Sequence, residues 1–307
     1  MKTLWILLGV FCCTTGLSQK NAVSLIVLGT VQDGGSPHIG CRRECCAVLF
    51  ENPDPTRMVV SLGIVDHENN KTYLFEATPD LSRQLKWLKK HSNQNQEIPN
   101  GIFLSHAHIG HYSGLLFLGR EALGGNSVPV YAMPKMKRFL ETNGPWSQLV
   151  TLKNIQIAPI FDGEKIRLTS NLSVVPFRVP HRDEFSETVG YKIIGPHKSV
   201  LFIPDIDKWG KWDTSIVEEV KKVDYAFLDA SFYSGEEIDN RDISEIPHPF
   251  VVESLDLFKD LSDEEKSKIH FIHFNHTNPL LNTESEAFNT TRNLGFHMAQ
   301  FLQTLKL

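Results

Sequence analysis

The chain is short of several features that would narrow its function at once. Its 307 residues hold only five cysteines, too few and too clustered for the disulfide framework of a small exported domain. It has no long run of lysine or arginine, and its formal net charge is -5. That excludes the basic footprint by which a protein grips a large nucleic acid. Internal repeats, coiled-coil heptads and low-complexity linkers are also missing. The remaining partner class is a small molecule, with no nucleic acid and no stable membrane anchor; homodimerisation stays open.

The one conspicuous apolar run sits in MKTLWILLGVFCCTTGLSQK, the first twenty residues. From Leu4 to Cys13 it is too short to span a bilayer as a permanent anchor. A lysine, an apolar run and then small residues follow the order of a secretory signal. This predicts a signal peptide over 1–18, cleaved after Ser18, and a periplasmic or secreted protein. The alternative is a buried first strand or helix. Removal of the signal takes Cys12 and Cys13 with it and leaves Cys41, Cys45 and Cys46 in one loop. An odd, clustered set of thiols points to metal ligation rather than disulfides.

With 41% hydrophobic and 22% charged residues, the remainder suits one domain over 20–307. Apolar, β-branched segments at 23–30, 57–65, 72–77, 101–105, 128–133, 172–179, 188–194, 199–205, 224–230 and 269–274 read as strands, several of them apolar on both faces. Helical patterns lie between them. In DLSRQLKWLKK, Asp80 is the expected N-cap, and Leu81, Leu85 and Leu88 share a face. PKMKRFLETN, SIVEEVKKV, ESLDLFKDL and SEAFNTTRNL are further helices. The expected class is α/β (α+β), two sheets packed face to face with helices outside. The polar stretch 233–249 reads as a long surface loop of the kind that carries function.

Chemistry concentrates in SHAHIGH, 105–111, directly after GIFL. His106 and His108, two apart at a strand end, face one side of an extended chain, and His111 begins the next turn. Neutral imidazole is the commonest metal ligand, and a three-histidine cluster at a strand-to-loop transition reads as a metal site.

SHAHIGHYSGL resembles the HxHxDH loop of the metallo-β-lactamase superfamily, with Gly110 where that loop carries aspartate. His181 in VPHRDE, Asp205 in LFIPDID and His273 in FIHFNH match the superfamily's later motifs in order. The resemblance implies a four-layer αββα sandwich with metals at one edge. Within the superfamily, LGTVQDGGSPHIGC, FEATPDLSRQL, LDASFYSGEEI and FIHFNHTNPLL resemble the pyrroloquinoline-quinone biosynthesis protein B branch. Cyclic phosphodiesterases of phosphonate metabolism share the Gly- and Cys-rich opening and the H-x-x-H ending.

The resemblance implies His106, His108 and His181 around a first ion with an open fourth position, the ligand count of a catalytic zinc site. A second ion would have His111, His273 and the bridging Asp205. Gly110 should weaken it unless Asp207, Glu76 or Asp229 substitutes; the last two read more readily as partners that orient ligand histidines. On this reasoning Gly110→Asp should raise second-ion occupancy. Cys41, Cys45, Cys46 and His276 resemble the Cys3His structural zinc of the phosphodiesterases, although Arg43 stands where the middle thiol belongs. His248 falls where the resemblance places a general acid. Gly34 and Gly35 are read as a turn or a backbone approach to substrate, and His38, His67, His91, His197, His270 and His297 receive no role.

The expected cofactors are one or two catalytic Zn2+ ions, with Mn2+ or Fe2+ as alternatives, plus one structural Zn2+. The expected activity is hydrolysis of a phosphodiester or other small ester, with His248 and Asp205 as catalytic residues. An iron-dependent oxidoreductase and a non-catalytic metal-binding homologue are the competing readings.

Overall fold

In the computed structural model, residues 22–237 and 246–307 are described; the predicted signal peptide and part of the predicted 233–249 loop lie outside them. Fourteen strands form two seven-stranded sheets. The first contains β1 (Val23–Gly29), β2 (Ser61–Asp66), β3 (Lys71–Phe75), β4 (Gly101–Phe103), β5 (Val128–Ala132) and β6 (Ile155–Pro159). The second contains β7 (Ile166–Arg167), β8 (Ser173–Arg178), β9 (Val189–Ile194), β10 (Ser199–Ile203), β11 (Tyr225–Asp229), β12 (Ile269–Ile272) and β13 (His297–Met298). The last strand, β14 (Thr304–Lys306), returns to pair antiparallel with β1.

Each sheet is antiparallel in one half and parallel in the other. β1, β2 and β3 form a meander before β4, β5 and β6 continue in parallel. β7 to β10 repeat the meander before β11, β12 and β13 continue in parallel. The parallel strands end at a common edge of each sheet, which is where loops gather in folds of this kind.

Strand periodicity explains why the strands look apolar on both faces. In β1, Val23, Leu25 and Val27 enter the core between the sheets, while Ile26 and Leu28 enter a second core under the helices of the first sheet. In β10, Val200 and Phe202 point inward, and Leu201 and Ile203 join a third core under the helices of the second sheet. Three apolar layers separate four structural layers, giving the αββα sandwich. At the centre, Phe103 stacks on Phe75 and Tyr131 at 4.8 and 4.2 Å between ring centroids.

Several elements differ from the sequence reading, each for a tertiary reason. The 57–65 run becomes a strand only from Ser61, because Met58 and Val59 pair with the chain beyond β1. There a Cβ on Gly29 would lie 1.9 Å from the Val59 carbonyl oxygen. The 269–274 run stops at Ile272, where His273 turns to φ 68°. Leu81, Leu85 and Leu88 do share the buried face of their helix. Asp80 precedes that helix without capping it, since its carboxylate accepts from the Val59 backbone N–H at 2.9 Å. Of the thiol loop, Cys41 stays in a loop while Cys45 and Cys46 begin a helix, Glu44–Glu51. The short edge strands β6, β7, β13 and β14 were not anticipated.

One buried histidine of the fold makes a pH prediction. His270 stacks between Phe227 and His297, each 5.0 Å away. Burial, aided by the His297 ring, pushes its imidazole down to about 3. In the unfolded chain histidine protonates near pH 6.5, so below that pH the unfolded state binds more protons and stability falls toward the folded value. His270→Phe is expected to remove about 1–2 kcal/mol of the stability loss between pH 7.5 and 5. Urea melts at both pH values measure it, and an unchanged pH difference in the variant refutes it.

Candidate metal centre

The site is assembled at the edge where parallel strands end. Beyond β4, a loop from Leu104 to His108 leads into a short helix, Ile109–Tyr112, and the segment is fastened to both sheets. Tyr191 Oη donates to the Leu104 carbonyl at 2.5 Å, the Ala107 N–H donates to Ser186 Oγ at 2.8 Å, and the Ala77 N–H donates to the His111 carbonyl at 2.9 Å. Asp205 follows β10, Asp229 ends β11, and His273 follows β12. Convergence of these termini brings together residues scattered over the whole sequence.

His106, His108, His181 and Asp205 offer donor atoms that all lie within 4.8 Å of one another. Asp205 Oδ2 stands 3.2 Å from His106 Nε2, 3.3 Å from His181 Nε2 and 3.8 Å from His108 Nδ1. The opposite nitrogens are occupied: Ser105 Oγ lies 2.8 Å from His106 Nδ1, and Asp207 Oδ1 lies 3.1 Å from His181 Nδ1. Such partners fix which nitrogen faces the centre.

A second group joins Asp33, His111, Asp205 and His273. Asp33 Oδ1 lies 2.9 Å from His111 Nε2 and 3.3 Å from His273 Nε2. Glu76 Oε2 holds His111 Nδ1 at 3.3 Å, and Ser231 Oγ holds His273 Nδ1 at 2.8 Å. Glu76 and His273 both carry positive φ, 75° and 68°, a region non-glycine residues seldom enter. The packing around the site sustains that strain.

His248 Nδ1 lies 2.8 Å from Asp229 Oδ2 and 3.1 Å from Asp205 Oδ1. A further group of donors, Asp205, Asp229, His248 and His273, overlaps the second one. Of the three carboxylates that could substitute for the missing side chain of Gly110, Asp207 and Glu76 act on the far side of His181 and His111, while Asp229 contacts Nδ1 of His248 and His273 and itself belongs to that further group.

Electrostatics divide the histidines. Burial, reinforced by the neighbouring His111, holds the His106 imidazole well below its ordinary range, keeping it in the neutral form that ligates metal. Burial opposes charge on His111 and His248 as well, but Asp33 with Glu76 raises the first, and Asp229 with Asp205 raises the second. Asp205 is held well below the usual carboxylate range despite its burial, chiefly by His181 and His248.

The donor set fits a metal cofactor. His181 Nε2 is a buried polar atom that makes no hydrogen bond, a costly arrangement unless a cation completes it. Imidazoles packed edge to edge with carboxylates are borderline ligands suited to zinc, iron or manganese.

The thiols form a separate group. Cys41, Cys46 and His276 converge, whereas Cys45 is exposed and stays outside the group. Cys45 and Cys46 begin a helix, whose geometry turns neighbouring side chains apart by about 100°. His38, given no role from sequence, stacks on His276 at 4.3 Å, and its N–H donates to Cys46 Sγ at 3.3 Å. Asp33 is the other residue missed. LGTVQDGGSP was read for its glycines, and an isolated aspartate before Gly-Gly looks like any turn residue.

One consequence concerns a partner of a ligand. Asp207→Asn keeps the size of the side chain but loses the charge on His181 Nδ1, and should weaken metal binding about 10–100-fold. Chelator-competition titration measures this; unaltered affinity would make Asp207 a surface partner of Lys211 alone.

The family pattern of the Beta-lactamase superfamily domain matches residues 71–273. Coenzyme PQQ synthesis protein B of Acinetobacter baylyi is 26% identical, over 87% of this chain and 94% of that protein. The protein of the same name from Methylorubrum extorquens strain PA1 is 23% identical, over 92% and 99%. Among solved structures, Zn2+-bound PqqB from Methylobacterium extorquens superposes with a TM-score of 0.75 at 20% identity, covering 92% of this chain and 100% of that one. A diphosphatase of the PhnP family superposes with a TM-score of 0.63 at 23% identity, covering 93% and 98%. With a match to the family pattern over most of its length and the sandwich to go with it, the chain belongs to the β-lactamase superfamily, in the company of the PQQ synthesis B proteins.

Proposed function

We propose that the protein is a metal-dependent hydrolase of a small anionic ester, with a phosphodiester as the preferred class. The observation that carries this reading is a cavity of about 770 Å³ that opens on His248 and is lined by Arg42, Arg43 and Arg182. Guanidinium groups suit phosphate oxygens in charge and shape.

His106, His108, His181 and Asp205 would hold one ion, with His111, Asp205 and His273 contributing to a second. Zinc is the first choice, manganese or iron the alternatives. Bound there, a divalent ion supplies Lewis acidity and lowers the pKa of water from about 15.7 to about 7. The chain's own groups do the rest. The arginines draw the anionic ester to the mouth of the cavity. Asp229 takes the His248 Nδ1 hydrogen, leaving Nε2 as the nitrogen to face a leaving group. Water oxygen bonds to phosphorus and gives up a proton to solvent, the ester P–O bond breaks, the departing alkoxide takes a proton from His248, and solvent reprotonates His248.

His248→Gln is expected to lower kcat about 10²–10⁴-fold on a diester with an alkyl leaving group. The loss should be much smaller with p-nitrophenolate, which leaves without a proton. Equal losses on both esters would remove His248 as the acid. No turnover of phosphodiester, lactone and thioester panels by fully metallated protein would leave a non-catalytic metal-binding homologue.

The likeness to coenzyme PQQ synthesis protein B along nearly the whole chain favours a second reading, an iron-dependent oxidoreductase. Three imidazoles with one carboxylate suit non-haem iron. Anaerobic iron loading followed by oxygen-uptake measurement separates the two, since the hydrolase consumes no oxygen. Two further proposals accompany the main one: Cys41, Cys46 and His276 hold a structural zinc, and residues 1–18 direct export. A Cys46→Ser variant that keeps its full zinc content would refute the first, and N-terminal sequencing of the mature protein tests the second.

A further inference from the structure

Gly110 poses a problem that the proposed function does not solve: where the second ion finds its carboxylate. The loop after β1 answers it. Asp33 Oδ1 lies 2.9 Å from His111 Nε2 and 3.3 Å from His273 Nε2, the two nitrogens turned toward the same point as Asp205. Both rings are held from behind, His111 by Glu76 and His273 by Ser231 and Asp229. The side chain of Asp33 is only 12% exposed, so its charge is of use to this cluster and to little else.

Gly110 and Asp33 compete for the same space. A Cβ on Gly110 would lie 2.5 Å from Asp33 Oδ1, 2.6 Å from Asp33 Cα and 2.7 Å from Asp33 Cγ. Contact with backbone as well as carboxylate means that no rotamer of Asp33 relieves it. The loop cannot readily retreat either. Val31 bridges to Val59 of the first sheet's margin and to Phe274 beyond β12. The Gln32 N–H donates to the Phe274 carbonyl at 2.9 Å, and the Phe274 N–H donates to the Thr30 carbonyl at 2.8 Å. Asp33 is therefore delivered to the site by a segment pinned at the ends of both sheets.

We infer that Asp33 is the carboxylate ligand of the second ion, and that Gly110 lacks a side chain because Asp33 occupies the place one would take. The carboxylate has been moved from the histidine loop to the loop after β1, and the two positions are mutually exclusive. This rests on the metal-binding part of the proposed function but not on hydrolysis. It reverses the expectation drawn from the motif alone: Gly110→Asp removes ligation by displacing Asp33 instead of adding to it.

The test counts metal without any substrate. A Cys46→Ser background removes ions bound at the thiols, and Co2+ titration of the apoprotein, read by absorption and by elemental analysis, gives ions per chain and their affinities. The parent should bind two. Asp33→Ala and the nearly isosteric Asp33→Asn should each keep one ion and bind the other more than about 100-fold more weakly. Gly110→Ala, which neither adds nor removes a donor, should weaken the same ion. Near-UV circular dichroism establishes that each variant is folded, with Asp33→Asn serving if Asp33→Ala is not. A parent that binds one ion, or Asp33 variants that hold two as tightly as the parent, would overturn the inference. A parent that binds two ions, loses the second on Asp33 replacement and yet turns over no ester would sink the proposed hydrolysis and leave this assignment standing.

Discussion

Asp205 is the charge around which the molecule is organised. The residue is 2% exposed, and burying an ion costs several kcal/mol unless the surroundings return it. Here they return it through imidazoles: His106, His181, His108 and His111 all stand between 3.2 and 3.8 Å from Oδ2, while His248 meets Oδ1 at 3.1 Å. These rings cannot all carry protons, since burial and mutual repulsion push His106 toward neutrality. Imidazole nitrogens gathered around one carboxylate are a donor set that a divalent cation completes.

The sandwich exists in a form that makes this cluster affordable. Asp205 comes from the second sheet and the His106 loop from the first, and the two are locked by Tyr191 reaching the Leu104 carbonyl across the interior. Rigidity comes from the aromatic stack beneath, with Phe103 in contact with Phe75, Tyr131 and Tyr191. Close packing of this kind transmits position with little play. Behind the rings of His106, His181, His111, His273 and His248 sits a second polar group, so that these histidines arrive oriented before any ligand binds.

Much of this was legible in the sequence. Ten strand segments, the amphipathic helix over 81–90 and the histidines at 106, 108 and 111 follow from local periodicity and spacing, which the chain carries on its own. The edge strands β6, β7, β13 and β14 were not legible, because two to five residues with mixed burial have no period strong enough to register. The Glu44–Glu51 helix was hidden for a related reason: its thiols drew attention as ligands, and only one of its eight residues, Cys46, is buried. Asp80 carried an N-cap signal that a tertiary partner, the Val59 N–H, overrode.

The sequence by itself determined the residue types of the centre, their order, and the strand ends that present them, since each depends on neighbours a few positions away. It also exposed the anomaly at Gly110. What only the tertiary structure decided is how that anomaly resolves. Asp33 and Gly110 are 77 positions apart, and no periodicity or motif relates them. They meet because the chain beyond β1 is bridged to Val59 and Phe274 at once, and because two groups cannot fill one volume. Excluded volume and the pairing of remote strands are properties of the folded object, which is why a residue that looks like a turn aspartate in the sequence stands among the histidines in the structure.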